Sequence, residues 1–285
     1  MRKLFCLLLM PCLLFGFISC SDDDNDKEIY DLTFERGDYT VMEESGYSIM
    51  VRSGNGDYTI TSEDSLIATA SYSEANVGFG DIFITPKKKG QTVIRVKDNV
   101  VNQEVKLNIT VTNKYLSLNV YETTAVVDID DTKQKEEIEK DLAEVTAFKK
   151  YFSIFLIDDE VKTSYVFKNV EDIATGNYLY KGTYEFRMIG NEPYLDVSYM
   201  NGEVETIQPY VLSGDEAIAG ISRYFDLGWV DSTLRSYLPS PVITISLTQN
   251  SAGRYISKYP ALRDANWVMQ ANLSLRTYLP DELLK

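Results

Sequence analysis

The chain has 285 residues, with 43 Asp plus Glu against 28 Lys plus Arg, no histidine and three cysteines. A composition of 44% hydrophobic and 25% charged residues is that of a folded chain with room for about two domains. Cys6, Cys12 and Cys20 all lie in the first twenty residues, so no Ser-His-Asp triad, Cys-His dyad or His- or Cys-ligated zinc can be built beyond them.

Arg2 and Lys3 precede an apolar run from Leu4 to Ile18, followed by Ser19-Cys20. This is the layout of a secretory signal, and the run is shorter than the roughly 20 residues a membrane-spanning helix needs. Phe17-Ile18-Ser19-Cys20 resembles the lipobox of bacterial lipoproteins, with Phe17 in place of the commoner aliphatic residue. The resemblance implies a signal peptide over residues 1–19 and a Cys20 that becomes the diacylated, then N-acylated, first residue. Two or more acyl chains give durable anchoring. Ser21, Asp22, Asp23 and Asp24 follow at once and resemble the surface-export signal of lipoproteins in Gram-negative gut anaerobes. That resemblance implies an outer-membrane protein facing the cell exterior. By composition, residues 20–29 are an acidic, self-repelling tether.

Loss of residues 1–19 removes Arg2 and Lys3 and no acid, taking the net charge from −15 to −17. Such a surface repels phosphate backbones, so nucleic acid is a poor partner. The expected partners are the outer membrane, through the lipid, and a glycan or protein ligand.

Residues 30–113 read as short strands. Val105, Leu107, Ile109 and Val111 alternate with polar residues, as do Thr92, Ile94 and Val96 with their neighbours. Asn55-Gly56 fits a tight connection between Tyr47–Val51 and Tyr58–Ile60. Tyr58–Ser62, Ile67-Ala68-Thr69-Ala70 and Ile84-Thr85-Pro86 running on through Lys87-Lys88-Lys89-Gly90 to Ile94 resemble the bacterial Ig-like (Big2-type) domain. That resemblance implies an all-β sandwich acting as a spacer.

Residues 114–285 are expected to form an α+β domain, an antiparallel sheet with one long helix against it. Ile138, Leu142, Val145 and Phe148 share a helical face, and Asp131 stands at the N-cap position. Asp128, Asp130 and Asp131 lack the loop glycine and distal Glu of a calcium loop; a strand end and an N-cap account for them, and no cofactor is expected. Alternation over Tyr178–Met188 and Tyr194–Met200, with Asn201-Gly202 as a hairpin turn, sets Tyr199 opposite Val204. Gly214–Phe225 reads as a short helix and Val242–Leu247 as a strand.

Fifteen of the 20 tyrosines and both tryptophans lie in residues 115–285. Rings on loops are better ligand candidates than rings on strands, which selects Trp229, Tyr237, Tyr255, Tyr259 and Trp267. No catalytic residue is assigned. A non-catalytic binding or adhesion lipoprotein is the expected function, with an envelope or fimbrial assembly subunit as the alternative. A carboxylate-dependent glycan-active enzyme, which needs no histidine, ranks last.

Overall fold

The computed structural model describes residues 28–74, 79–230, 243–275 and 277–284. The first part of the chain forms two four-stranded sheets. One runs in the order β1 (Thr33–Phe34), β3 (Tyr47–Ser53), β6 (Asp81–Pro86), β5 (Ala68–Ser73). The other runs β2 (Asp38–Met42), β8 (Gln103–Thr112), β7 (Gly90–Asp98), β4 (Tyr58–Ser62), with β2 parallel to β8. The period-2 residues of both sheets meet in one core, including Val41, Ile49, Ile82, Ile94, Leu107 and Ile109. Asn55-Gly56 carries the chain from one sheet to the other and closes no hairpin, because β3 pairs with β1 and β6 while β4 pairs with β7. The Asn55 backbone and side-chain N–H groups both donate to the buried Asp98 carboxylate, at 3.0 and 2.8 Å.

The rest of the chain overturns the expected succession of an Ig-like sandwich and an α+β domain. β9 (Tyr115–Asp128), β10 (Ser153–Ile157), β11 (Thr163–Phe167), β12 (Tyr180–Ile189), β13 (Glu192–Asn201), β14 (Val204–Ser213), β15 (Ile243–Asn250) and β16 (Asp264–Ser274) pair in succession. β16 then returns along almost the whole of β9, closing an eight-stranded antiparallel barrel. Closure leaves no edge strand. The closing strand is hard to see in sequence because its inward residues are Ala265, Trp267, Met269, Ala271 and Leu273, and two alanines dilute the alternation.

Four α-helices are present among the described residues, α1 (Thr132–Val145), α2 (Val170–Thr175), α3 (Asp215–Tyr224) and α4 (Ala252–Tyr255), with a 3-10 turn at Asp281–Leu283. α1, α3 and α4 close the barrel ends, while α2 lies against its outer wall. α1 and α4 lie at one end, where Ile138 and Leu142 are buried over Tyr255 and Tyr259. Asp131 caps α1, its carboxylate accepting from the N–H groups of Lys133 and Gln134. Phe148, fully buried, packs its ring against Tyr180, Tyr199 and Tyr210 at 5.5–6.3 Å. At the opposite end, α3 places Ala217, Ile221 and Phe225 in the same core. An eight-stranded barrel is just wide enough for side chains to fill, and this one is filled.

The hairpin register also differs from the sequence reading. Asn201 pairs with Val204 and Tyr199 with Thr206, so the two-residue loop is Gly202-Glu203. Gly202 has φ +66°, and the first loop position is the one that both favoured hairpin turns require at positive φ.

Outward positions on β12 and β16 carry Lys181, Thr183, Glu185, Asn266 and Gln270. The apolar, side-chain-filled interior differs from the aqueous lumen of porin-type barrels. Among the described residues no helix is long and apolar enough to cross a membrane. β10, β11 and the start of β9 (Tyr115–Leu118) are exceptions on the wall, with every residue buried. Their outer face, with Phe155, Ile157, Tyr165 and Phe167, is covered by Ile173 of α2 and by Leu279 and Leu284 of the last segment. Burial on both faces explains the unbroken apolar run Ile154–Ile157.

The same last segment ties the sandwich to the barrel. Met42 of β2 packs on its apolar cluster, and the Thr40 hydroxyl donates to Asp281 at 2.7 Å. Lys114, at the junction, pairs with Glu44 at 2.7 Å and Asp158 at 3.5 Å. The Tyr224 hydroxyl donates to the Tyr115 carbonyl at 2.9 Å.

Candidate functional site

The aromatic residues singled out in the sequence are spent on the barrel core. Trp267 is an inward residue of β16, its indole N–H donating to the Phe148 carbonyl at 3.3 Å. Tyr255 and Tyr259 are buried beneath α1. Trp229 is half-buried, edge-on to Phe186. Tyr237, Cys20, Ser21, Asp22, Asp23 and Asp24 lie outside the described residues.

The cleft between α1 and α4 is built of ion pairs. Tyr255 donates to Asp141 at 2.6 Å, and Lys258 pairs with Glu137 at 2.7 Å. Burial and then the Asp141 carboxylate push the Tyr255 phenol up, while hydrogen bonds from Lys258 and Tyr259 hold Glu137 below its ordinary range. A carboxyl held ionised in this way is a poor general acid. On the loop side, Asp128 and Asp130 both accept from Arg263, at 2.5 and 2.8 Å. Among the described residues there is no group of three or more potential Asp, Glu, Cys or His metal ligands.

A different surface gathers exposed rings. Opposite β16, Ala271 pairs with Val120 and Gln270 with Glu122, so Tyr121 is the extra residue of a β-bulge. A bulge re-aims a side chain, and Tyr121 is exposed on the barrel wall. Beside it, Tyr151 stands in the left-handed region at φ +72° and is 68% exposed. For a non-glycine residue that conformation costs on the order of 1–3 kcal/mol and persists only where the surroundings impose it. Here the Tyr151 N–H donates to the Val120 carbonyl at 2.8 Å, and the Val120 N–H donates to the Phe152 carbonyl at 2.8 Å. The ammonium of Lys150 lies 4.9 Å from the ring centroid of Tyr151.

Tyr121 and Tyr151, together with Tyr278 of the last segment, line one groove of about 620 Å³. That volume lies in the usual range for small-ligand sites, roughly 300–1,000 Å³. Among the described residues its polar lining groups are amides, hydroxyls and one acid. Asn119 is locked, its Oδ1 accepting from Ser153 at 2.8 Å and its Nδ2 donating to Ser117 and Thr277. The Asn169 Oδ1 accepts from the Asp172 N–H as the cap of α2. Its amide N–H groups, the Asn272 side chain and the Glu171 carboxylate make no hydrogen bond among the described residues. Tyr151 and Tyr278 satisfy the same loop criterion that selected the buried aromatics; Tyr121 gave no sequence signal, since a bulge exists only relative to its partner strand.

Comparison with known proteins adds little to this geometry. No protein-family model and no curated protein sequence matches the chain. Among solved structures, S-layer protein SbsC domains 5–6 are 13% identical, covering 76% of this chain and 89% of that one, with a TM-score of 0.26. SbsC domains 4–9 are 14% identical over 78% of this chain and 29% of that one, with a TM-score of 0.25. Domains 4 and 5 are 21% identical over 28% of this chain and 44% of that one, with a TM-score of 0.24. The chain thus spans less than half of the domain 4–5 structure, and TM-scores this low do not establish a shared fold.

Proposed function

We propose that this protein is a lipid-anchored, outward-facing surface protein that binds a neutral glycan in the groove of Tyr121, Tyr151 and Tyr278, without catalysing a reaction on it. The observation that supports it is the convergence of a bulged tyrosine, a backbone-strained tyrosine and uncommitted amides on one open groove. Phenol rings offer apolar faces to the C–H faces of a sugar, while Asn and Glu side chains meet its hydroxyls. The backbone hydrogen bond to Val120 holds Tyr151 in its left-handed conformation and leaves two-thirds of the residue exposed. The mature net charge of −17 weighs against an anionic polysaccharide. Cys20 supplies the anchor, residues 20–29 the tether, and the sandwich holds the barrel outward.

The test is a screen of neutral polysaccharides against the purified chain, repeated with Tyr151→Ala. Binding that the variant loses supports the reading; binding that it retains, or none to any polysaccharide, overturns it. For the anchor, Cys20→Ala should move the protein from the detergent phase to the aqueous phase, and unchanged partitioning would refute lipidation.

A second reading, an assembly subunit, draws on one observation. Met200, Val204 and Ile207 are all exposed on the β13–β14 hairpin. A partner that co-purifies with the native chain and is lost with Ile207→Glu would favour it over glycan binding.

A further inference from the structure

Tyr278 lines two clefts. On one side it borders the wall groove beside Tyr121 and Tyr151. On the other it borders a cleft of about 890 Å³ at the junction of sandwich and barrel. That cleft is lined by Arg36, Tyr47 and Ser48 from the sandwich and by Tyr115 and Asp281 from the barrel and last segment. We propose that the two clefts form one binding track, and that its ligand is an extended neutral oligosaccharide that crosses Tyr278 from the barrel wall into the junction. The sandwich is then half of the binding site and not only a spacer. The inference rests on the reading of the wall groove as a glycan site.

Three features carry it. The first is the shared ring: Tyr278 is 64% exposed, so a chain occupying the wall groove meets it before reaching the junction. The second is preorganisation. The junction is held by the Thr40–Asp281 hydrogen bond, by Lys114 between Glu44 and Asp158, and by Tyr115 donating to the Thr277 carbonyl at 3.0 Å. A ligand spanning both clefts therefore orders no mobile domain, which lowers the entropic cost of binding on the protein side. The third is lining chemistry. The Arg36 guanidinium lies 4.7 Å from the Tyr39 ring centroid and donates to the Tyr47 hydroxyl at 3.5 Å, so a positioned donor and phenol face the cleft. Asp38 and Asp281 share its wall, and their carboxylates accept sugar hydroxyls.

The experiment is calorimetric titration of the full chain with xylo-, cello-, malto- and laminari-oligosaccharides, each as dimer and hexamer. For the series that binds, the hexamer is expected to bind about tenfold or more tighter than the dimer, equivalent to about 1.4 kcal/mol. Arg36→Ala and Tyr47→Ala are expected to bring that ratio to within about twofold with the dimer unchanged, whereas Tyr151→Ala weakens both ligands. Arg36 is exposed, so its variant reads the junction even if Tyr47→Ala loosens the sandwich. A hexamer advantage that persists in both junction variants, or no hexamer advantage at all, overturns the track while leaving the wall groove standing. No binding by any probe, or binding indifferent to Tyr151→Ala, overturns the glycan reading itself and the track with it.

Discussion

The backbone N–H of Tyr151 donates to the carbonyl of Val120 at 2.8 Å, and the residue after Val120, Tyr121, has no partner across the β9–β16 pair. The loop after α1 thus grips β9 beside its bulge, and each of the two irregular residues presents a ring to the same groove. Replacing Tyr151 separates ring from backbone. Tyr151→Gly relieves a left-handed conformation that glycine adopts freely, so melting temperature should hold or rise, by about 1 kcal/mol of stability at most after the entropy of glycine is offset. Ligand binding should fall at the same time. A variant that loses stability and keeps binding would refute both the strain and the role of the ring.

Gly182 of β12 is required by the barrel wall. A Cβ there would sit 1.7 Å from the Ser198 carbonyl oxygen and 2.9 Å from the Tyr199 Cα, both backbone atoms that cannot rotate away. Gly182→Ala should destabilise the barrel by about 3 kcal/mol or more in urea denaturation, at the upper end for overpacking. A midpoint near that of the parent chain would show that β12 and β13 can part without cost.

Tyr210 is fully buried, and its hydroxyl has no hydrogen-bond partner among the described residues. Burial pushes its phenol well above the ordinary tyrosine value, so it stays neutral at any working pH. Removing an unpaired buried hydroxyl removes a desolvation cost. Tyr210→Phe should therefore be neutral or stabilising by about 1 kcal/mol, whereas Tyr210→Ala, which empties the space beside Phe148, should cost about 3–5 kcal/mol. A clear loss of stability in Tyr210→Phe would mean that the hydroxyl is satisfied.

Arg263 governs the acid side. Its hydrogen bonds hold the Asp128 and Asp130 carboxyls below their ordinary 3.8 and raise its own pKa. The stability these carboxylates contribute is complete above the unfolded-state value and is lost as pH falls through the lowered folded-state value. The stability difference between the parent chain and Arg263→Gln should be constant from neutral pH to about 5, then vanish as the carboxylates protonate. All three groups are exposed, so high salt should shrink it too. A difference that persists in strong acid would assign it to packing.

The last segment holds the two halves through apolar contact more than through its hydrogen bond. Leu279→Ala, at a buried position against Phe155 and Phe167, should cost about 2–5 kcal/mol. Thr40→Val, which removes only the hydroxyl that donates to Asp281, should cost about 1 kcal/mol. Limited proteolysis at the connector near Asn113 should accelerate in the first variant and barely change in the second. The opposite order would make the polar contact the main tie.

Local signals were legible where the physics is local. The N-cap at Asp131, α3 and the alternation of β7, β8, β12 and β13 could be read from the chain, because each depends on neighbours a few residues away. The hairpin slipped by one turn position because Asn201 and Gly202 both suit a turn, and only pairing decides between registers. Choosing Trp267, Tyr255 and Tyr259 as ligand rings went the other way: the fold needed them to fill a barrel and seal its end.

The sequence by itself determined the absence of histidine and of any thiol beyond Cys20, the net acidity, and the strand periods of both halves, since composition and short-range periodicity are properties of the chain alone. Only the tertiary structure decided that β16 returns to β9, joining Asp264 to Asp128 across most of the barrel sequence. That pairing creates the bulge at Tyr121, and the last segment brings Tyr278 beside it. Both are relations between strands and segments distant in sequence, settled by closing the sheet and burying its outer wall, and no local pattern encodes them.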